Sequence, residues 1–150
     1  MNKSSKSFTV KRWKTHPLFE FAGARMRALL TLDDTSKLAC YHITVAKNGC
    51  VQSAYHKKAV ELICILKGSG SARLGRRRVV LKKGDALFIY PPTPHGFIAG
   101  RAGMVMMAIL TPRVDSQTDF YSHDESHPPP KVLAGRLRQG RRLPATARAR

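Results

Sequence analysis

Between residues 37 and 111 the chain sets short apolar or alternating segments between turn residues at intervals of roughly eight to twelve positions, a rhythm that predicts an all-β sandwich or barrel. Tyr41-His42-Ile43-Thr44-Val45 alternates apolar and polar positions, so Tyr41, Ile43 and Val45 are expected to face a core and His42 to face away. Asn48-Gly49 carries a hairpin signal, with residues 50–56 as the returning strand. Glu61-Leu62-Ile63-Cys64-Ile65-Leu66 is apolar on both faces after its first residue, as expected of a strand covered on both sides, and Gly68-Ser69-Gly70 is read as its end. Residues 71–74 and 77–81 flank a turn at Gly75-Arg76. Lys83-Gly84-Asp85 turns into Ala86-Leu87-Phe88-Ile89-Tyr90, and Pro91-Pro92-Thr93-Pro94 forms a rigid loop. Residues 95–98 and 104–110 are expected as two strands joined by a turn around Gly100 and Gly103. No apolar stripe of helical period persists anywhere in this stretch.

The pattern divides the chain into a basic N-terminal arm (1–36), a barrel (37–114) and a Pro/Arg-rich tail (115–150) with little to bury, expected to be disordered. Trp13, Phe19 and Phe21 are expected to pack the arm over the barrel. A chain of 150 residues that is 43% hydrophobic suffices for one core. Its longest uninterrupted apolar run, residues 104–110, falls far short of the roughly 18 residues of a membrane-spanning helix, so no membrane association is expected. No apolar segment follows Lys11-Arg12-Trp13-Lys14 as in a secretory signal, which points to the cytoplasm. Cys40, Cys50 and Cys64 have no C-x-x-C spacing and are read as small buried hydrophobes of a reducing compartment.

Charge changes this picture at the surface. The formal net charge is +18, concentrated in both ends and in the expected turns. Such a surface attracts polyanions, but the tails lack interleaved aromatics or a recognition-helix pattern, so nucleic-acid contact is expected to be non-specific only. Strands apolar on both faces predict a homodimer.

The candidate chemistry lies inside the barrel. Glu61 is the only carboxylate between Asp34 and Asp85, and it opens the most apolar strand of the chain, where a carboxylate is costly unless paired or ligated. On the strand before it, alternation puts Gln52 and Ala54 on the face of His56. His123 and His127, beside Asp124-Glu125 and three prolines, are read as solvated, and Met104, Met106 and Met107 as core filling.

With these residues in view, positions 37–111 resemble the cupin superfamily. The first motif of that family is a glycine, a His-x-His pair, a glutamate and a second glycine, matched here by Gly49, Ala54-Tyr55-His56, Glu61 and Gly68. Its second motif, from a glycine to a histidine, is matched without insertion from Gly84 to His95. Ala54 replaces the first motif histidine, Tyr90 and Pro92 stand where Pro and Gly are usual, and Ala99 replaces the closing Asn. The resemblance implies a double-stranded β-helix, or jelly roll, with His56, Glu61 and His95 as metal ligands and Gln52, Ala54, Ile63, Tyr90 and Phe97 lining the site of a small organic ligand. The implied cofactor is a divalent transition metal: Fe, Mn, Zn or Ni. Two readings stay open. One is a metal-dependent enzyme such as an isomerase, epimerase, decarboxylase or dioxygenase; the other is a binding module without metal, in which the histidines hold Glu61 ionised.

Overall fold

Two long strands organise the molecule. In the computed structural model, which describes residues 7–123, β5 (Val60–Leu74) and β8 (His95–Thr111) run antiparallel along nearly their whole length. Around them lie β1 (Phe19–Phe21), β2 (Ala24–Ala28), β3 (Ala39–Val45), β4 (Cys50–Tyr55), β6 (Arg77–Lys82), β7 (Ala86–Ile89) and β9 (Tyr121–Ser122). The first half of β5 pairs with β7 and with the second half of β8, which pairs in turn with β3. The second half of β5 pairs with β6 and with the first half of β8, which pairs with β4. The sheet therefore curls into two facing halves that share the β5–β8 ladder, an all-β jelly-roll barrel.

The bend comes where two turns were expected. Gly68-Ser69-Gly70 and the Gly100–Gly103 region do not end strands; they sit within β5 and β8, at irregularities in the ladder register. The glycines are there because the backbones come too close for a side chain: a Cβ on Gly68, whose φ is +74°, would run into the carbonyl oxygen of Gly103. Asn48-Gly49 departs from expectation in a different way. The turn is tight, with Gly49 N–H donating to Ala46 O over 2.9 Å, but β3 and β4 do not pair with each other. Each pairs with a different half of β8, so this turn carries the chain from one half of the sheet to the other.

Alternation fills the interior. Ala39, Tyr41, Ile43 and Val45 of β3 point inward, as do Ile63 and Ile65 of β5 and Met104, Met106, Ala108 and Leu110 of β8. Burying one such large side chain stabilises the fold by about 1.5–3 kcal/mol. His42 points outward and stacks on Trp13, ring centroids 5.2 Å apart, which fastens the arm to the barrel. The arm does more than cover. β1 and β2 extend the sheet beside β3, and Phe19 and Ala24 join the core. At the other end residues 112–123 fold back: Tyr41 donates its hydroxyl to Val114 O over 2.7 Å, Val114 is buried, and β9 adds to the edge of β4. The folded unit thus extends past both expected boundaries.

The cysteines are not buried hydrophobes. Cys50 is exposed and Cys40 and Cys64 are half-buried on outward positions of β3 and β5, because Ala39, Tyr41, Ile63 and Ile65 take the inward ones. Among the described residues no helix is long and apolar enough to cross a membrane. The expected disorder of the far tail and His127 lie outside the described residues, as do residues 1–6.

Candidate metal centre and ligand cavity

Glu61 reaches the interior because it shares the inward face of β5 with Ile63 and Ile65. Its strand neighbours are Ile89 of β7 and Leu110 of β8. His95 opens β8 in the other half of the sheet, paired with Ala54 of β4 and Leu74 of β5. His56 lies one residue beyond β4. The three side chains therefore meet across the barrel mouth from three segments, and all are buried, at 5%, 6% and 7% exposure for His56, Glu61 and His95.

Each can offer one donor atom, and the three atoms lie within 4.8 Å of one another. Glu61 Oε2 is 2.8 Å from His95 Nε2 and 3.5 Å from His56 Nε2. On the far side of each ring, Nδ1 faces a main-chain carbonyl: Asp119 O at 2.7 Å from His56 and Thr93 O at 2.9 Å from His95. A carbonyl only accepts, so both Nδ1 atoms carry hydrogen and donate. Both Nε2 atoms are thereby directed at the carboxylate, the arrangement that metal-ligating histidines adopt when an outer partner fixes the tautomer. While both rings are neutral neither Nε2 carries a hydrogen, so Glu61 Oε2 is buried and receives no hydrogen bond despite these short approaches. A buried anionic oxygen without a donor, between two imidazole nitrogens, is a donor set that fits a divalent transition metal.

The electrostatics of the cluster follow from burial and proximity. Burial works to raise the Glu61 carboxyl, but the charge of His95 and contacts from both histidines outweigh it and bring the group down to about 2. For His95 burial works the opposite way, to lower it; the Glu61 charge, the contact with that carboxylate and the Thr93 carbonyl prevail and raise it above its ordinary value. Without metal, the site therefore holds a Glu61 anion against a readily protonated His95.

A cavity of about 760 Å³, measured out to its open mouth, adjoins the cluster. Ala54, Ile63 and Phe97 line it. Gln52 also lines it, though by a different route from simple alternation. Val51 and Ala54 of β4 stand opposite Phe97 and His95 of β8, so β4 carries an extra residue, a bulge. The bulge turns Val51 as well as Ala54 inward and leaves Gln52 mostly exposed at the edge of the cavity. Tyr90 is a correction: it does not border the cavity and is 67% exposed. Ile89 takes the inward position, so Phe88 and Tyr90 point outward and pack edge to face, centroids 5.0 Å apart.

Several contributors were not anticipated. Phe19, Phe21 and Met26 enter from the arm, and Ser116 and Phe120 from the returning segment. Phe120 packs against Phe21, centroids 4.8 Å apart, and flanks the His56 ring. The largest omission is Asp119. Its carboxylate accepts from the N–H groups of Lys57, Lys58 and Ala59 at 2.7, 3.0 and 2.8 Å, while its carbonyl holds His56 Nδ1. It sits at φ 56°, a left-handed position that Asp tolerates better than most residues. Its one sequence signal was an aspartate before a phenylalanine in a polar stretch.

No curated protein matches the chain in sequence. Among solved structures it is similar to PAC13 from Streptomyces with uridine, at TM-score 0.67 and 15% identity over 80% of this chain and 97% of that one. Another structure of Pac13 describes it as a nucleoside dehydratase. KdgF from Halomonas sp. aligns at TM-score 0.64 and 16% identity, over 73% of this chain and 97% of that one. The polyketide cyclase RemF from Streptomyces resistomycificus aligns at TM-score 0.62 and 20% identity, over 89% of each chain. At these identities the likeness concerns the fold. The family pattern of the cupin domain matches residues 41–110, the span that contains β5, all but the last residue of β8 and all three residues of the cluster, and that match identifies this span of the chain as a cupin domain.

Proposed function

We propose that this protein is a mononuclear metal-dependent cupin enzyme, holding a divalent Fe, Mn, Zn or Ni ion at His56, Glu61 and His95 and acting on a small organic molecule in the adjoining cavity as an isomerase, epimerase or dioxygenase. One observation carries the reading: two buried imidazoles, each with Nδ1 committed to a carbonyl, turn Nε2 toward one buried carboxylate oxygen that the neutral rings leave without a donor. A bound ion would supply Lewis acidity to an oxygen-bearing substrate. The chain's own residues do the rest. Asp119 and Thr93 hold the two rings in place, the apolar walls exclude water, and Gln52 at the rim is placed to orient a polar end of the substrate. That similar barrels include a nucleoside dehydratase and a polyketide cyclase supports an enzyme. The 2.8 Å approach of His95 to Glu61 favours a second reading, a metal-free binding pocket closed by an ion pair.

Elemental analysis of protein prepared without chelator or nickel-affinity steps separates the two. Near-stoichiometric transition metal supports the enzyme; a substoichiometric result for every transition metal supports the metal-free pocket. A homodimer in the cytoplasm belongs to the same proposal, supported by the outward Leu66, Phe88 and Tyr90 and to be checked by light scattering at moderate salt. The basic ends would add only salt-sensitive, sequence-independent contacts with polyanions.

A further inference from the structure

The walls of the cavity say more about its occupant than the metal cluster does. The inward positions of β1, β2, β3 and β8 supply Phe19, Phe21, Met26, Ile43, Phe97 and Met106, and the returning segment adds Phe120. Space among these large side chains is left by Ala24, Ala54 and Ala108, small residues at inward positions of three different strands. Polar groups are few and confined. Tyr41 is the one wall residue with a hydroxyl on a ring, and that hydroxyl is committed to Val114 O. The others are the cluster itself, Gln52 at the rim, and Asp115 and Ser116 on the returning segment. Asp115 is already engaged, accepting from Gln117 N–H over 2.9 Å with Arg113 4.0 Å away.

A polyhydroxylated ligand such as a sugar would lose its water hydrogen bonds on entering and find almost none in return along these walls. An aromatic body meets the opposite situation, with phenylalanine rings to pack against by edge or face and methionine sulfurs able to adapt to it. Polar recognition is concentrated at the His56–Glu61–His95 end, where a bound metal would have only three protein ligands and room for oxygen atoms of the ligand. We infer that the cavity takes a fused or substituted aromatic molecule of low polarity, with a carboxylate, phenolate or keto oxygen at one end directed to the cluster and the hydrocarbon body seated among Phe21, Phe97, Met106 and Phe120. The inference rests on the proposed metal site only for the polar end; the apolar end stands on the walls alone.

The test uses the full chain, metal-free and zinc-loaded, with methionine methyl groups labelled for NMR, and 1-hydroxy-2-naphthoate as the probe. Met26 and Met106 line the cavity, whereas Met107 lies on the opposite face of β8. The probe is expected to shift the Met26 and Met106 methyls and leave Met107 unmoved, with glucuronate, which has the same carboxylate on a polyhydroxylated body, at least tenfold weaker. Phe120→Ala, on the returning segment rather than in the barrel strands, is expected to weaken the probe about tenfold or more in the metal-free protein. Glucuronate or uridine binding as tightly as the naphthoate would overturn the inference, as would shifts confined to Met107 or no binding of the naphthoate to either form. Binding to the metal-free form with the same methyl shifts and no zinc uptake would sustain the aromatic cavity while removing the metal reading. Zinc uptake without naphthoate binding would do the reverse.

Discussion

His56 and His95 present the same chemistry from two differently built regions. Each donates Nδ1–H to a main-chain carbonyl and turns Nε2 to Glu61, but the carbonyl belongs to Thr93, two residues away, for His95, and to Asp119, 63 residues away, for His56. His95, at the start of β8, is held by its own loop and by strand neighbours on β4 and β5. His56 stands beyond the end of β4, and what fixes it is the C-terminal segment, which folds back and clamps the β4–β5 loop through three backbone N–H groups. One half of the site is therefore a local product of the barrel, and the other depends on closure of the chain around the mouth. Metal affinity should respond very differently to small changes in the two regions.

The largest effect should come from the residue that the two halves share. Glu61→Gln keeps the shape but replaces the anionic ligand with a poor neutral one, and metal affinity should fall by about 100-fold or more with the fold retained, read by zinc calorimetry beside far-ultraviolet circular dichroism. Unchanged affinity would mean that the histidines bind without the carboxylate. Next comes the asymmetry itself. Asp119→Ala removes the three backbone contacts of the loop that carries His56; stability should drop by about 2–3 kcal/mol and metal affinity by about 10–100-fold. Thr93→Ala leaves its carbonyl in place at His95 and should change stability by less than about 0.5 kcal/mol. Equal losses in the two variants, by urea titration and zinc binding, would erase the distinction between the regions.

Protons should expose the same pairing. His95 is raised, so in the metal-free protein its contribution is present below its ordinary value of 6.5 and is lost as pH climbs through the folded value. Glu61 is lowered to about 2, so its contribution is present above 4.5 and is lost as pH falls toward 2. The stability of wild type relative to Glu61→Gln should therefore peak between about pH 4.5 and 6.5 and shrink on both sides, measured by urea unfolding. Metal must displace the His95 proton, so zinc affinity should weaken about tenfold for each unit of pH below the His95 value. A smaller gain is expected from Ala54→His. Ala54 is buried, lines the cavity and pairs directly with His95, so a histidine there adds a fourth ligand and should raise zinc affinity by about tenfold. No gain would show that the mouth cannot accommodate the added ring.

The local half of the site was also the legible half. Glu61 stood out as a lone carboxylate heading an apolar strand, and alternation alone placed Ile63 and Ile65 on its side. Tyr41, Ile43 and Val45 were assigned to the interior in the same way, and the outward side chain of His42 with them. What the pattern misread were glycines and proline-rich edges. Gly68 and Gly103 look like strand ends in sequence, because a glycine that permits a close backbone approach has the same letter as one that permits a turn. Tyr90 looked like a wall residue until Ile89, one position away, took the inward place. The bulge in β4 broke the alternation that grouped Gln52 with Ala54. Asp119 and Phe120 were illegible for a different reason: their roles depend on contacts made 60 or more residues away, and an isolated polar segment has no periodicity to reveal them.

The central claim is that both rings meet one ion through Nε2 while Nδ1 keeps its hydrogen. Long-range nitrogen-15 NMR of the histidine rings, recorded as zinc is added to the metal-free protein, observes all four nitrogen atoms separately. The account predicts that Nε2 of His56 and of His95 shift together at one equivalent of zinc, with Nδ1–H retained on both rings and neither response surviving in Glu61→Gln. Shifts at Nδ1, a response from one histidine only, or no saturable change would contradict it.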